Sequence, residues 1–255
     1  MGILSGCSAI IVGASSGLGY GTALRFAEEG ANVLVAARRV DRLEALVEEA
    51  RSRALEGRIV ARKCDVEKEA DLDAVVANAI EEFGAVHILF ASAQGGLEGG
   101  ANLSQATAEG ALFSYRSGPL YTMLLMQKLL PYFKAQNYGR IITTASGAAI
   151  HATPGFAVYG MSKAAMMALT RTAASEWGRF GITTNCIFPV TWNDHFGEGT
   201  EGTSSVEMIA KVSPVGYMGQ PYENASPILA FIASEGAHYL NGQMIGVDGG
   251  MSPLA

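Results

Sequence analysis

The sequence predicts an α/β fold in which a doubly wound parallel sheet carries helices on both faces. Two patterns lead there. Short β-branched or apolar runs alternate with longer amphipathic stretches, as in βαβ units. The first of these runs also passes through a glycine-rich turn directly into a helical pattern, as nucleotide-binding α/β units do. With 255 residues, 49% hydrophobic and 16% charged, the chain can bury a large core. No repeat, linker or low-complexity segment divides it, so one domain spanning 1–255 is expected.

In chain order the strand runs are "CSAIIV", "NVLVAA", "GRIVAR", "VHILFA", "GRIITTA", "ITTNCI" and "GQMIGV". Helical patterns separate the first six. In "DRLEALVEEARSRAL", for example, Leu43, Leu46, Val47 and Ala50 recur at i, i+3, i+4 and i+7. Right-handed crossovers between parallel strands then place helices on both faces. One long stretch, "VTWNDHFGEGTEGTSS" from Val190 to Ser205, lacks strong periodicity. It reads as a lid (190–211) or as a plain surface insertion.

The net charge of −6 and the lack of a basic run exclude sequence-independent binding to a phosphate backbone, so no nucleic-acid partner is expected. Cys7, Cys64 and Cys186 are odd in number and far apart, and read as buried reduced thiols. No apolar run is long enough to span a bilayer, and no basic leader precedes the first one. These readings predict a soluble, cytoplasmic protein without a membrane partner. The four histidines show no paired metal spacing, and no metal is expected.

Gly13 to Gly19, "GASSGLG", joins the first strand to a helix. Glycines allow a tight turn and let backbone N–H groups approach a pyrophosphate at the positive end of the helix. Ser15, Ser16, Gly17 and Leu18 lie inside this turn. The second strand ends without the acidic residue that would hold both ribose hydroxyls; Arg38 and Arg39 stand there instead. Their planar donor forks suit a 2′-phosphate, so NADP(H) is expected in preference to NAD(H), unless they are solvated charges at a helix start. Asp65, after the third strand, either accepts from an adenine amino group or caps the next helix.

At the chemical end, Ser146 follows the fifth strand and "YGMSK" places Tyr159 and Lys163 four apart on one helical face. A free tyrosine titrates near 10, so a base near neutrality needs the phenolate stabilised by about 4 kcal/mol. An ammonium about 4 Å away supplies roughly that at an effective dielectric near 20. The Ser146 hydroxyl can hold a substrate oxygen while Tyr159 exchanges its proton.

With "GASSGLG", "CDV", Ser146, "YGMSK", "NCIFP" and the terminal "GQMIGVDGG" in place, the chain resembles the short-chain dehydrogenase/reductase family over essentially its whole length. The resemblance implies a single Rossmann-like domain with seven parallel strands and a nicotinamide cofactor across the strand ends. It implies that Ser146 polarises the substrate oxygen, Tyr159 is the acid/base, and Lys163 lowers its pKa and binds the nicotinamide ribose. Carried over as further cofactor contacts are Val66, Ala91, Ser92, Ala93, Pro189, Val190 and Thr191, with Ile187 backbone groups on the carboxamide. The implied reaction interconverts a ketone, with a 3-oxoacyl thioester one candidate, and a secondary alcohol. Dimers or tetramers are implied too, packed through long helices whose apolar faces run over Leu120 to Leu130 and Ala164 to Trp177.

Three departures stand out. Ala91, Ser92, Ala93 and Gln94 replace the family's Asn-Asn-Ala-Gly. Gly118, beside Ser117, stands thirteen residues before Pro131, where the family has a relay Asn. Pro189-Val190 replaces Pro-Gly, with Thr191 an approximate match to the family's nearby Thr. Gln94, His151, Phe156, Trp192 and His195 are the candidate substrate contacts. Two rival readings on the same fold are a non-redox lyase of the halohydrin dehalogenase kind, against which Lys163 and the glycine turn count, and a cofactor-binding regulatory protein.

Overall fold

The structure is a computed structural model that describes residues 1–95, 102–151, 153–193 and 200–252, with backbone only for 200–205. Seven strands form one parallel sheet: β1 (Ser8–Val12), β2 (Asn32–Ala37), β3 (Ile59–Lys63), β4 (Ile88–Ala91), β5 (Gly139–Thr144), β6 (Ile182–Pro189) and β7 (Met244–Val247). Their spatial order is β3-β2-β1-β4-β5-β6-β7. The chain winds outward from β1 to β3, then returns to β4 on the other side of β1. The carboxyl ends of β1 and β4 therefore diverge at a topological switch point, where open α/β sheets bind ligands. The predicted α/β class and all seven strands are present, with ends shifted by a residue or two.

Burial on both faces explains why the strands read as apolar runs. In β1 all five residues are buried. Ala9 and Ile11 point into one core with Val33, Val35, Phe26 and Leu229. Ile10 and Val12 point into the other with Leu34, Leu72, Leu125 and Phe133. Such alternation follows from the two-residue period of a strand.

Helices α1 (Gly17–Glu28), α2 (Val40–Ser52), α3 (Glu69–Phe83), α4 (Ala108–Tyr115), α5 (Tyr121–Gln136) and α6 (Ala157–Trp177) follow the strands, with α7 (Thr200–Val212) and α8 (Ser226–Ala233) before β7. Thr107 caps α4 by accepting from Gly110 N at 3.1 Å. Between α4 and α5 the chain takes one π turn, Arg116–Leu120. Pro119 lies inside it and has no N–H to donate to the preceding turn, so the ladder widens there.

One expectation changes. Within the proposed lid, residues 200–212 are helical rather than irregular, and Thr191 bridges to Gly219. Of the apolar stretches over Leu120 to Leu130 and Ala164 to Trp177, Leu125, Met126, Leu129 and Ala173 pack in the core beneath the sheet. No helix among the described residues is long and apolar enough to cross a membrane.

Candidate active site

The glycine turn is fixed by close backbone approach. Gly13 has φ +91°, and a Cβ there would lie 2.5 Å from Ala93 N. At Gly19 a Cβ would lie 2.4 Å from Gly13 O. The turn therefore nests against the segment leaving β4. Beside it opens a cleft of about 570 Å³ that collects Gly13, Ser15, Ser16, Gly17, Leu18, Arg38, Arg39, Asp65, Val66, Ser92, Ala93, Gln94, Tyr159 and Lys163. Thr144, Phe113, Ser117 and Asn193 are also among its walls. An elongated cleft with a glycine cradle at a helix N-terminus suits a dinucleotide.

Within the cleft, Arg39 reaches over the turn. Its Nη2 donates to Ser15 Oγ at 3.0 Å and Ser16 Oγ at 2.8 Å, and its Nε to Ser15 Oγ at 3.2 Å. Arg38 is exposed at the rim. Asp65 does not cap α3, whose N-cap is Lys68. Its carboxylate instead accepts from Glu67 N at 3.3 Å and pairs with Lys68 Nζ at 3.7 Å.

At the far end three side chains converge. Ser146 caps a short turn after β5, accepting from Ala148 N at 3.3 Å. Tyr159 stands in the first turn of α6, with the Phe156 ring edge-on at 6.1 Å. One helical turn on, Lys163 is 2% exposed, and its Nζ lies 5.5 Å from the Tyr159 ring centre. Nζ donates to Thr144 O at 2.9 Å, while Thr144 Oγ1 donates to Ala91 O at 3.1 Å. Lys163 is thus anchored to β5, and β5 is tied to the end of β4.

Electrostatics follow from burial. Desolvation lowers Lys163 to about 8, against a small opposing effect of Cys186. It also raises the Tyr159 phenol, which the adjacent Ser146 hydroxyl pulls back in part. In the chain by itself, therefore, the balance at Tyr159 is set by desolvation, the reverse of the lowering that the resemblance implies. Cys186, fully buried on β6, faces Lys163, and burial raises its thiol.

Other candidates lie elsewhere. Ala91 ends β4 inside the core. Pro189 ends β6, while Val190 and Thr191 line a separate cleft of about 660 Å³ beside β7 and α8. The Ile187 carbonyl accepts Ala145 N at 2.9 Å within the sheet. Gln94 lines the first cleft and bonds Ser114 through its Nε2. Phe156 is 39% exposed beside Tyr159. His151 is exposed and lines neither cleft. The Trp192 backbone N–H donates to Gly219 O at 2.8 Å, and His195 lies outside the described residues. Sequence reasoning missed Thr144, Cys186 and Asn193. Strand register and loop path, not local pattern, bring them to the site.

A parallel sheet with a glycine cradle and a Ser-Tyr-Lys end defines a nucleotide-linked α/β enzyme. A family model described as enoyl-(acyl carrier protein) reductase matches residues 13–252. The 3-oxoacyl-[acyl-carrier-protein] reductase FabG of Thermotoga maritima is 30% identical over 97% of this chain and 98% of its own. The crystal structure of levodione reductase superposes with a TM-score of 0.91 at 27% identity, covering 99% of this chain and 100% of that one. A 7α-hydroxysteroid dehydrogenase complexed with NADH and 7-oxo glycochenodeoxycholic acid gives 0.88 at 28% identity, over 99% and 97%. The chain belongs to the short-chain dehydrogenase/reductase family and is an NAD(P)-dependent oxidoreductase acting on CH–OH and C=O groups.

Proposed function

We propose that this protein is an NADP(H)-preferring carbonyl reductase in which Tyr159 is the acid/base. The observation that carries the reading is that Tyr159 and Lys163 line one end of a cleft whose other end is the glycine turn, with the Ser146 hydroxyl against Tyr159. When bound, the nicotinamide supplies or accepts the hydride. The Ser146 hydroxyl donates to the substrate oxygen, and Tyr159 gives that oxygen its proton in reduction or takes it in oxidation. Lys163, held on Thr144 O, stabilises the phenolate that forms. An ammonium about 4–6 Å from a phenolate is worth roughly 3–4 kcal/mol at an effective dielectric near 20.

Arg39 supports the NADP(H) preference. Its guanidinium already lies over the turn's two serine hydroxyls, where a 2′-phosphate could take the same donors. The substrate is a small to medium, partly apolar ketone or secondary alcohol in a soluble compartment, and the working unit is a homo-oligomer. The relatives named for a diketone, a 3-oxoacyl carrier thioester and an oxo steroid define the classes to screen. A panel of these carbonyls with NADPH should give turnover for at least one member. Tyr159→Phe should then lower kcat by about 10²-fold or more, with NADPH binding retained. Full turnover by that variant removes Tyr159 from the chemistry.

A further inference from the structure

The last strand runs into a turn that reaches back to the Ser146 end of the site. Asp248 follows β7 and is 8% exposed. Its carboxylate oxygens are used separately: Oδ1 accepts Gly250 N at 2.9 Å and Oδ2 accepts Ser252 N at 2.7 Å. Hydrogen bonds to an ionised acceptor are roughly twice as strong as neutral ones. One side chain therefore folds Asp248 to Ser252 into a closed turn. Gly249 and Gly250 supply the left-handed backbone it needs, at φ +66° and +86°.

That terminal turn is packed against two neighbours. A Cβ at Gly249 would stand 2.7 Å from Val215 Cγ2 and 2.9 Å from Ser213 Oγ, and one at Gly250 would stand 3.4 Å from Pro214 Cγ. The chain leaving α7 thus lies directly on it. The second neighbour is the turn after β5, where a Cβ at Gly147 would stand 3.1 Å from Ser252 Oγ. Gly147 directly follows Ser146, whose hydroxyl accepts Ala148 N at 3.3 Å. This same turn also rests on α6: a Cβ at Gly160, next to Tyr159, would lie 2.6 Å from Ala148 O. Ser146 therefore sits in a turn that touches both α6 beside Tyr159 and the terminal turn at Ser252. Close-packed groups pass small displacements on to one another.

We propose that Asp248 is a positioning residue for Ser146. By pinning Ser252 N it holds the Ser252 side chain against Gly147, and the turn so braced presents the Ser146 hydroxyl to the substrate oxygen in register with Tyr159. The packing of Ser213 to Val215 on Gly249 and Gly250 limits how far the terminal turn can give. Asp248 and Ser252 line the second cleft rather than the first, so the effect is carried by packing and not by contact with cofactor or substrate. The inference deepens the Ser146–Tyr159 reading and rests on it.

The test uses two substitutions that break the brace at different points. Asp248→Asn keeps the shape but leaves an NH₂ where one of the two N–H groups needs an acceptor. Ser252→Ala keeps that N–H bonded and removes the Oγ that touches Gly147. Each is made alone, both are combined, and each is placed in a Ser146→Ala background. The readouts are kcat and KM on the best carbonyl of the panel, NADPH affinity by fluorescence, and melting temperature. A misplacement of about 1 Å can lower turnover by about 10²-fold, so partial release should lower kcat about tenfold in Asp248→Asn and about threefold in Ser252→Ala. NADPH affinity should stay within about threefold. The combined variant should fall no lower than Asp248→Asn alone, because both act through one contact. In the Ser146→Ala background Asp248→Asn should change the residual kcat by less than about twofold, since the hydroxyl it positions is gone.

If Asp248→Asn lowers the melting temperature while kcat stays put, Asp248 is structural and the proposal is overturned. A tenfold loss that persists in the Ser146→Ala background overturns it as well, because the turn would then act on something other than Ser146. If Asp248→Asn does not fold, Ser252→Ala decides alone, and unchanged kcat there is equally fatal. Ser146→Ala with full turnover would strike the underlying reading, and this proposal falls with it. A silent Asp248→Asn beside an impaired Ser146→Ala removes Asp248 and leaves that reading standing.

Discussion

Lys163 shows the conflict between stability and chemistry at its smallest scale. A cation 2% exposed, with Thr144 O as its fixed partner, has its protonated form disfavoured, and its pKa falls from 10.5 to about 8. Holding the charge below pH 8 costs the folded state about 3 kcal/mol. Between about 8 and 10.5 the folded protein binds fewer protons than the unfolded chain, so this cost is relieved and stability from this group rises with pH. Lys163→Met removes the charge and about 1 kcal/mol of hydrogen bonding, for a net gain of about 2 kcal/mol at pH 7. The melting temperature should rise by roughly 4–8 °C at pH 7 while turnover is lost. The gain should shrink toward zero near pH 10. A lower melting temperature at pH 7 would show that the buried ammonium is a net stabiliser. Tyr159 has the opposite consequence for activity. Its phenol is raised by burial, so it is protonated at neutral pH and ready to act as an acid, and oxidation should gain with rising pH where reduction loses.

At the scale of elements, the glycine turn joins β1, α1 and the segment after β4 into one unit. Gly13→Ala places a Cβ 2.5 Å from Ala93 N, at a φ of +91°. The obstacle is backbone on both counts and has no rotamer escape. The cost should be about 3 kcal/mol or more, visible as a lower midpoint in urea, with NADPH binding lost even where the variant folds. A stable variant that binds NADPH normally would mean the turn does not sit against Ala93. This element was legible in the sequence because its chemistry is local: strand, glycines and helix succeed one another in register. So was the Tyr159–Lys163 face, set by helical spacing. The same locality explains what was not legible. The helix over 200–212 is hidden by its glycine, threonine and serine start. Thr144 and Cys186 reach Lys163 only through the register of β5 on β6, where Thr143 pairs with Cys186 and Thr144 with Ile187. The apolar stripe of α5 reads as a contact surface from its letters, and only tertiary packing shows that Leu125, Met126 and Leu129 of it lie in the core. Nothing in "FASAQGG" tells that the Gln94 amide folds back onto Ser114.

For the whole molecule, the cleft walls come from segments that each answer to a different strand. The glycine turn follows β1, Ser92 to Gln94 follow β4, Thr144 ends β5 and Asn193 follows β6. A ligand lying along the cleft joins ends that the sheet leaves free, and it stabilises the fold by mass action. NADPH at about 100 times its dissociation constant should add about 2.7 kcal/mol, or roughly 5–10 °C in melting temperature for a chain of this size. The comparison with NADH isolates Arg39. Three hydrogen bonds hold its guanidinium on Ser15 and Ser16, and under the NADP(H) reading a 2′-phosphate takes those donors. Arg39→Ala should therefore cut the NADPH-induced shift to the size of the NADH shift and leave the latter nearly unchanged. Equal losses for both cofactors would mean that Arg39 supports the glycine turn rather than reading the 2′-phosphate. The same melting curves would then give the size of that supporting role directly, from the fall in the cofactor-free melting temperature.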